Sequence, residues 1–228
     1  MSKARIFLAV FYALLALIGI GLCLGGGFLL WANSFMKDGD GFYTTQTVEL
    51  KSDSHAITSY PTDIKVHQPE AIKWLTTVEI KINAEDNKDK GIFVGIAPEK
   101  DLREYLSGVE HDQIVKADIK HPLPLGEPEI EYKNIPGTSS PAEPAEQDFW
   151  IAQASGRDTQ DLQWNVESGV YSVALMNEDG STGVDVSASI GAKVPVASGL
   201  GLWLTIAGLV LVLLSFFFLY ITVSRSNL

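Results

Sequence analysis

Two long apolar runs without a charged residue bracket a central block that holds every acidic residue of the chain. The runs cover residues 6–31 and 194–223. The hydrocarbon core of a bilayer is about 30 Å thick, which an α-helix spans with about 20 residues, so each run is long enough to cross it. The pattern predicts transmembrane helices over residues 6–31 and 198–223, with one domain over residues 38–193 between them.

The central block alternates apolar and charged residues in a way that is typical of β-strands. The alternation is strict in Val78–Ile82, and the nearly continuous apolar run Ile92–Ile96 indicates a central strand. Asn177–Gly180 carries the residues of a hairpin turn between two further apolar runs. One short helix, begun by Pro98 and ended by Gly108, interrupts the strands.

These elements predict a membrane-anchored, mainly-β fold. Two transmembrane helices bracket an extracytoplasmic antiparallel domain of the β-sandwich or jelly-roll type, which carries one short helix. Prolines cluster in the middle of the domain, and the low-complexity segment that follows predicts a flexible loop at about residues 133–147. The strands after this loop are too few to form a second domain.

The few charged residues outside the central block set the expected orientation. Lys3 and Arg5 precede the first run, and Arg225 follows the second. Because cytoplasmic flanks of transmembrane helices are enriched in Lys and Arg, we expect both termini in the cytoplasm and the central domain outside the plasma membrane. The chain has a formal net charge of −11, and the acidic central block disfavours a nucleic-acid partner.

The first run is expected to persist as an uncleaved signal-anchor helix. Its apolar region is much longer than the roughly 7 to 15 residues of a cleaved signal peptide. Cys23, the single cysteine of the chain, follows Leu22 at a position where a lipoprotein signal would need a small residue. Because the central domain has no cysteine, we expect no disulfide there.

Small residues recur at intervals of four in both apolar runs and predict close helix packing. Neither run holds an ionisable side chain other than Cys23 and tyrosine, which disfavours an ion or proton path. The small-residue faces pack on each other within the chain, dock on another membrane protein, or do both. The residues of these faces are Gly21, Gly25, Ala197, Gly201, Thr205 and Gly208.

No spacing in the chain marks a catalytic centre or a metal site, so we assign no catalytic residue and no cofactor. His111 and Asp112 follow the short helix and form a weak candidate for binding or hydrolysis. Trp150 could stack on a sugar if its strand exposes it. Asp179 and Asp185 resemble a fragment of a calcium loop without the full order of ligands. Each of these residues also has a plainer interpretation as a core, turn or solvated residue.

Four segments of the central domain carry a resemblance to a known family. They are Gly91–Pro98, Tyr105–Asp112, Phe149–Ala152 and Met176–Asp185. Together with both apolar runs, they resemble an uncharacterised family of bacterial two-span membrane proteins, found especially in actinobacteria, with an extracytoplasmic β-domain. The resemblance implies a location in the cell envelope and transfers no catalytic residue.

The sequence therefore favours a non-enzymatic accessory or scaffolding protein of the cell envelope. Its helical hairpin would lie in the lipid bilayer beside a larger integral membrane complex, and its β-domain would contact that complex outside the membrane. The alternative is an extracytoplasmic module that binds a glycan, a lipid or calcium. A third hypothesis, an envelope hydrolase that uses His111 and Asp112, has the least support.

Overall fold

The chain folds into two compact units. One unit comprises the chain ends, up to Lys37 and from Val194, and the other comprises Asp38–Lys193. The computed structural model describes residues 3–35, 37–66, 77–118 and 128–224. The elements in chain order are α1 (Lys3–Phe35), β1 (Tyr43–Thr44), β2 (Val48–Ser52), β3 (Ala56–Thr58), β4 (Thr62–Ile64), β5 (Glu79–Asp86), β6 (Ile92–Pro98), α2 (Glu99–Tyr105), β7 (His111–Asp118), β8 (Glu129–Ile135), a 3₁₀ turn (Pro144–Glu146), β9 (Ala152–Gly156), β10 (Thr159–Asn165), β11 (Gly169–Asn177), β12 (Val184–Lys193) and α3 (Pro195–Ser224).

The terminal helices α1 and α3 are long and apolar enough to cross a membrane. Within them, Ile6–Phe35 and Gly199–Ser224 have mean hydropathies of 2.7 and 2.6, and only 11% of the most apolar stretch of each is buried. The core helix of a soluble domain would be mostly buried instead. Arg225 and the side chain of Arg5, on which the expected orientation depends, lie outside the described residues.

The first sheet of the β-domain has five strands. β12 lies inside it, pairs with β5 on one side, and pairs with β2 and then β1 on the other. β10 pairs with β5 and forms the far edge. Residues alternate between buried and exposed along β2, as they do when a sheet buries one face and leaves the other in water.

The second sheet has seven strands in the order β8-β7-β3-β11-β6-β9, with β4 also paired to β11. The pairings are antiparallel apart from that of β3 with β7. β6 buries residues on both of its faces, because this sheet is covered on both sides. The sequence did not predict β7 and β8, whose polar residues suit an edge position better than an interior one.

The two sheets pack face to face around the larger of two hydrophobic cores. Leu50, Ile82 and Leu162 point into this core from the five-stranded sheet, and Val94 and Leu175 point into it from the seven-stranded sheet. The predicted fold class is therefore confirmed: two long apolar helices bracket a β-sandwich that carries one short helix.

The smaller core lies on the opposite side of the seven-stranded sheet. Leu102 of α2 and Leu106, which directly follows α2, cover Phe93, Ala174 and Met176 of the sheet. The heptapeptide α2 has acidic residues in its first turn and an arginine in its last turn, which suits the helix dipole. The β-domain thus has three layers, with α2 as part of the outer one.

The segment that the sequence predicted as a flexible loop, residues 133–147, is held to the domain by hydrogen bonds. The strand β8 extends into it. The Thr138 N–H donates to the Gly108 carbonyl O at 2.9 Å, and the Tyr105 hydroxyl donates to the Ala142 carbonyl O at 2.6 Å. The sequence did not predict these contacts, because the segment takes part in them through backbone groups, which a low-complexity sequence does not reveal.

Candidate functional site

The helices α1 and α3 pack with their backbones almost in contact. A Cβ atom added at Gly26 would lie 2.6 Å from the backbone N of Thr205, and one added at Gly19 would lie 2.9 Å from the carbonyl O of Gly208. Only glycine permits an approach this close. We call this contact the packed seam, and its residues are Gly19, Cys23 and Gly26 of α1 with Gly201, Thr205 and Gly208 of α3.

Polar groups in and near the packed seam bond within the helix pair. The Cys23 Sγ lies 3.6 Å from the Thr205 carbonyl O, and the Thr205 hydroxyl donates to the Gly201 carbonyl O at 2.8 Å. Ser215, which is 2% exposed, donates in the same way to the Leu211 carbonyl O at 2.6 Å. Hydroxyl bonds to the carbonyl four residues earlier satisfy these side chains in apolar surroundings.

The small residues predicted to pack divide between two sides of the helix pair. Those that lie in the packed seam are Gly201, Thr205 and Gly208. The side chain of Ala197 lies outside the described part of the chain. The GxxxG residues of α1 do not face α3, because a Cβ atom added at Gly21 or Gly25 meets nothing within 4 Å. In α1 the contact with α3 is made by Gly19 and Gly26 instead.

Gly21 and Gly25 lie on the side of α1 that faces away from α3. A helix turns about 100° per residue, so these two glycines stand roughly 200° and 240° around the axis from Gly19. Large side chains border them, and these are exposed by 64% at Leu17, 70% at Leu24 and 63% at Phe28. We call Gly21 and Gly25 with these three neighbours the open groove.

The strand β7 separates the two residues that the sequence suggested as a polar pair. The His111 Nδ1–H donates to the Val109 carbonyl O at 2.8 Å, which leaves Nε2 as the acceptor nitrogen. Asp112 accepts hydrogen bonds from Ser52 at 2.6 Å and from Asn134 at 2.9 Å. Successive side chains of a strand point to opposite faces, so His111 and Asp112 do not form an acid–base pair.

His111 lines a cleft of about 320 Å³ between α2 and the seven-stranded sheet. Arg103 of α2 and Gln113 of β7 line the same cleft. The Ser172 hydroxyl donates to Glu99 Oε2 at 2.6 Å and ties the start of α2 to β11. The cleft therefore presents an imidazole, a guanidinium and an amide, which can hydrogen-bond a small polar molecule.

Asp179 in the β11–β12 turn and Asp185 at the start of β12 are both engaged by groups of the β-domain. Hydrogen bonds from the Ser181 hydroxyl and N–H lower the pKa of Asp179, and the N–H bond is 2.9 Å long. Asp185 accepts from the Asn87 amide at 2.9 Å and lies 3.8 Å from the Lys88 ammonium. Among the described residues, no three His, Cys, Asp or Glu side chains gather into a possible metal site.

Trp150 is half-buried in the outer layer of the β-domain. Its Nε1–H donates to the Pro144 carbonyl O at 2.8 Å. Its ring centroid lies 4.9 Å from that of Phe93 and 4.6 Å from that of Phe149. Both the ring and its N–H are therefore engaged within the protein, and the contacts fasten the proline-rich segment to the sheet.

Sequence reasoning missed an ion cluster at the start of the β-domain. Lys81 is only 8% exposed and pairs with Asp38 and, at 3.2 Å, with Asp40. Its Nζ lies 4.9 Å from the ring centroid of Phe42. Lys81 occupies a polar position of the alternating strand β5, so the sequence indicated a solvated side chain.

The ion cluster shifts the pKa values of Asp38 and Lys81. Burial alone would raise the pKa of Asp38, but hydrogen bonds from Lys81 and from the Phe42 N–H outweigh it and lower that pKa to about 2. The hydrogen bond to Asp38 raises the pKa of Lys81. Asp38 and Lys81 are therefore both charged throughout the physiological range, and their ion pair stabilises the start of the β-domain.

The fold and these sites define a β-sandwich domain carried by a pair of apolar helices, with one glycine face packed and another open. No protein-family model matches the chain, and no curated protein matches its sequence. The resemblance to the actinobacterial family therefore stays a prediction.

Proposed function

We propose that the protein is a non-enzymatic accessory protein that docks on a larger integral membrane protein through the open groove of α1. The proposal is carried by one observation: α1 has a pair of glycines on each of two opposite sides, and α3 packs on Gly19 and Gly26 but not on Gly21 and Gly25. Small residues let transmembrane helices approach closely, and close packing drives their association in lipid. The open groove thus offers another helix the kind of surface that α3 uses.

The glycines of the open groove weaken α1 without serving its packing on α3. Glycine lowers helix propensity by about 1 kcal/mol relative to alanine. At Gly21 and Gly25 there is room for a larger side chain, because nothing lies within 4 Å of an added Cβ atom. A partner helix that approaches this side would give both glycines a role.

The proposal includes an orientation, with both termini in the cytoplasm and the β-domain outside the plasma membrane. Lys3, Arg5 and Arg225 flank the apolar helices, and basic residues favour the cytoplasmic side. The β-domain would then contact the outer part of the partner. With a formal net charge of −11 for the chain, that contact would favour a basic surface on the partner.

The double substitution Gly21→Leu and Gly25→Leu tests the proposal by filling the open groove. Tagged protein is expressed at its native level, extracted in mild detergent and purified, and co-purifying membrane proteins are quantified by mass spectrometry. We expect recovery of the partner to fall about tenfold or more, which corresponds to a loss of at least about 1.4 kcal/mol of binding free energy.

The matched control is Gly27→Leu, because Gly27 is equally open but lies outside the groove. This variant should keep the partner. Recovery of the wild-type protein alone under several mild conditions, or equal recovery of the partner with the double variant, contradicts the proposal.

A second candidate function, an external module for a small polar ligand such as a glycan, is favoured by the cleft beside α2. His111, Arg103 and Gln113 line it together with leucine side chains, a combination suited to hydroxyl groups on an apolar ring. Thermal-shift measurements with envelope saccharides should then give a stabilisation that Arg103→Ala removes. No shift with any saccharide removes this candidate.

A further inference from the structure

An apolar cavity of about 290 Å³ opens between the two sheets of the β-domain. Its walls are the inner faces of β2 and β12 on one side and of β7 and β8 on the other. It is thus distinct from the cleft beside α2, which lies across the seven-stranded sheet, and from the open groove of α1. The apolar residues that line it include Val48, Leu50, Ile114, Ala117, Ile130 and Ile190.

Side chains that should be covered are exposed in this cavity. Ile190 lies in register with Ile82, so both point toward the inside of the sandwich, yet Ile82 is 3% exposed and Ile190 is 46% exposed. A bulge between Ile114 and Lys116 shifts the register of β7. It lets Ile114 and Ala117 both face the cavity, which Val115 and Lys116 also line, and bulges that redirect side chains are frequent next to functional sites.

Three of the hydroxyl groups beside the cavity, those of Thr45, Ser59 and Thr62, are already engaged by the backbone. The Ile190 N–H donates to Thr45 Oγ1 at 3.1 Å, and the Val173 N–H donates to Ser59 Oγ at 2.9 Å. The Thr62 hydroxyl donates to a backbone carbonyl at 3.3 Å. Because the lining is mostly apolar, a peptide or a sugar in the cavity would leave most of its own polar groups without partners, which is unfavourable. An aliphatic chain has no such groups.

The geometry points to a binding site for one acyl chain of a membrane phospholipid. A cavity of about 150 Å³ lined by Leu, Ile and Phe accommodates benzene. At about 290 Å³, this cavity has room for an aliphatic segment of on the order of ten carbons. Occupancy would cover Ile190 and remove apolar surface from water.

Chain continuity favours phospholipid as the source of the acyl chain. Ile190 lies near the end of β12 at Lys193, and the apolar helix α3 begins at Pro195. Thr45, which also lines the cavity, directly follows β1, the first strand after the apolar helix α1. The helices α1 and α3 are long and apolar enough to cross a membrane, so the protein that holds the cavity is tethered where acyl chains are abundant.

Photolabelling of the full-length protein tests the inference. The protein is reconstituted in phosphatidylethanolamine and phosphatidylglycerol vesicles that contain a phospholipid with a diazirine at the end of one acyl chain, and adducts are mapped by peptide mass spectrometry. We expect adducts in β7, β8 and β12 as well as in α1 and α3. Adducts in the helices serve as the internal reference for labelling by bulk lipid.

Two substitutions close the cavity from opposite sheets. Ala117→Phe and Ile190→Trp should each lower labelling of β7, β8 and β12 about tenfold, because an aromatic ring occupies much of the space. The control Ala145→Phe adds the same ring at an exposed alanine away from the cavity and should label like the wild type. Thermal unfolding checks that each variant is folded.

Absence of adducts in the three strands of the wild-type protein overturns the inference, as does undiminished strand labelling in folded Ala117→Phe and Ile190→Trp. A cavity covered by a second copy of the chain would give a dimer in native mass spectrometry and no strand adduct, which also overturns it. If neither variant folds, the wild-type adduct map decides.

Discussion

The two units of the protein bury their chains by opposite means. The helix pair packs through glycines, a cysteine and a threonine, and its large side chains point outward, as the 70% exposure of Leu24 and Phe7 illustrates. The β-domain turns its largest side chains inward, where Phe93 and Ile57 are at most 1% exposed. The two units therefore leave different surfaces free for other molecules.

The difference in side-chain burial follows from the surroundings that each unit suits, which are water for the β-domain and lipid for the apolar helices. In water, the hydrophobic effect moves large apolar side chains inside. Between helices in lipid this drive is absent, and the closeness of the backbones decides the packing. Enlarging a seam residue should therefore damage the helix pair, whereas truncating a core residue should damage the β-domain.

Gly26→Leu should have the largest effect, because it places a side chain against the backbone of α3. The added Cβ atom alone would lie 2.6 Å from the Thr205 N, so the helices must separate. We expect a destabilisation of about 3 kcal/mol or more, at the upper end of overpacking effects, measured by detergent-induced unfolding of the purified protein. The neighbouring variant Gly27→Leu should unfold like the wild type. Equal losses of stability in both variants would contradict the view that close backbone packing at Gly26 holds the helix pair together.

Phe93→Ala should destabilise the β-domain by about 3 to 5 kcal/mol, the usual cost of truncating a buried aromatic residue. Phe93 is 0% exposed and lies 4.9 Å from the Trp150 ring, so tryptophan fluorescence in urea reports the loss. The matched truncation Phe7→Ala removes a side chain that is 70% exposed and should leave stability unchanged. A comparable loss of stability in Phe7→Ala would contradict the view that the helix pair points its large side chains outward while the β-domain buries them.

Acid should weaken the β-domain before the helix pair, since the ion pairs found among the described residues lie in the β-domain. The pKa of Asp38 is lowered from 3.8 to about 2, so its contribution is present above pH 3.8 and is lost as the pH falls toward 2. With partial exposure taken into account, we expect about 1 kcal/mol. Urea unfolding at pH 2 to 7 should show that the free energy of unfolding declines less with falling pH in Asp38→Asn than in wild type. Parallel curves for the two proteins would exclude a stabilising role of ionised Asp38.

The double variant Gly21→Leu and Gly25→Leu should have the smallest effect on stability. Among the described residues, none lies within 4 Å of a Cβ atom added at either glycine, and leucine favours the helix more than glycine does. Detergent-induced unfolding should therefore match that of the wild type or shift slightly toward greater stability. Loss of stability comparable to that of Gly26→Leu would mean that the groove is a second packing face of the pair.

The two spans and the sandwich could be predicted because each depends on a pattern that extends over many residues. A long apolar run has few structural alternatives, and strict alternation as in Val78–Ile82 specifies a strand. The strand β8 at the edge and its neighbour β7 escaped prediction because polar residues occupy more than half of their positions. Alternation along β7 would have been enough to separate His111 from Asp112.

The glycine faces of α1 show that a local spacing pattern does not identify which residues of a helix contact its partner. Gly21 and Gly25 satisfy the familiar spacing of four, yet the contact with α3 uses Gly19, Cys23 and Gly26, whose spacings of four and three follow a coiled-coil seam. In α3, Gly201, Thr205 and Gly208 lie on the one face that contacts α1. The sequence of one helix with two glycine faces does not indicate which face packs on its partner, because the answer depends on the position of the partner helix.

Site-specific photo-crosslinking along α1 tests the docking proposal most directly. A photoreactive amino acid is introduced singly at Leu17, Leu24 and Phe28 beside the open groove, and at Ile20 and Gly27 away from it, in cells that express the protein at its native level. The account predicts a crosslink to the same membrane protein from the three groove positions and none from the other two. Equal crosslinking at all five positions, or none from the groove, would contradict it.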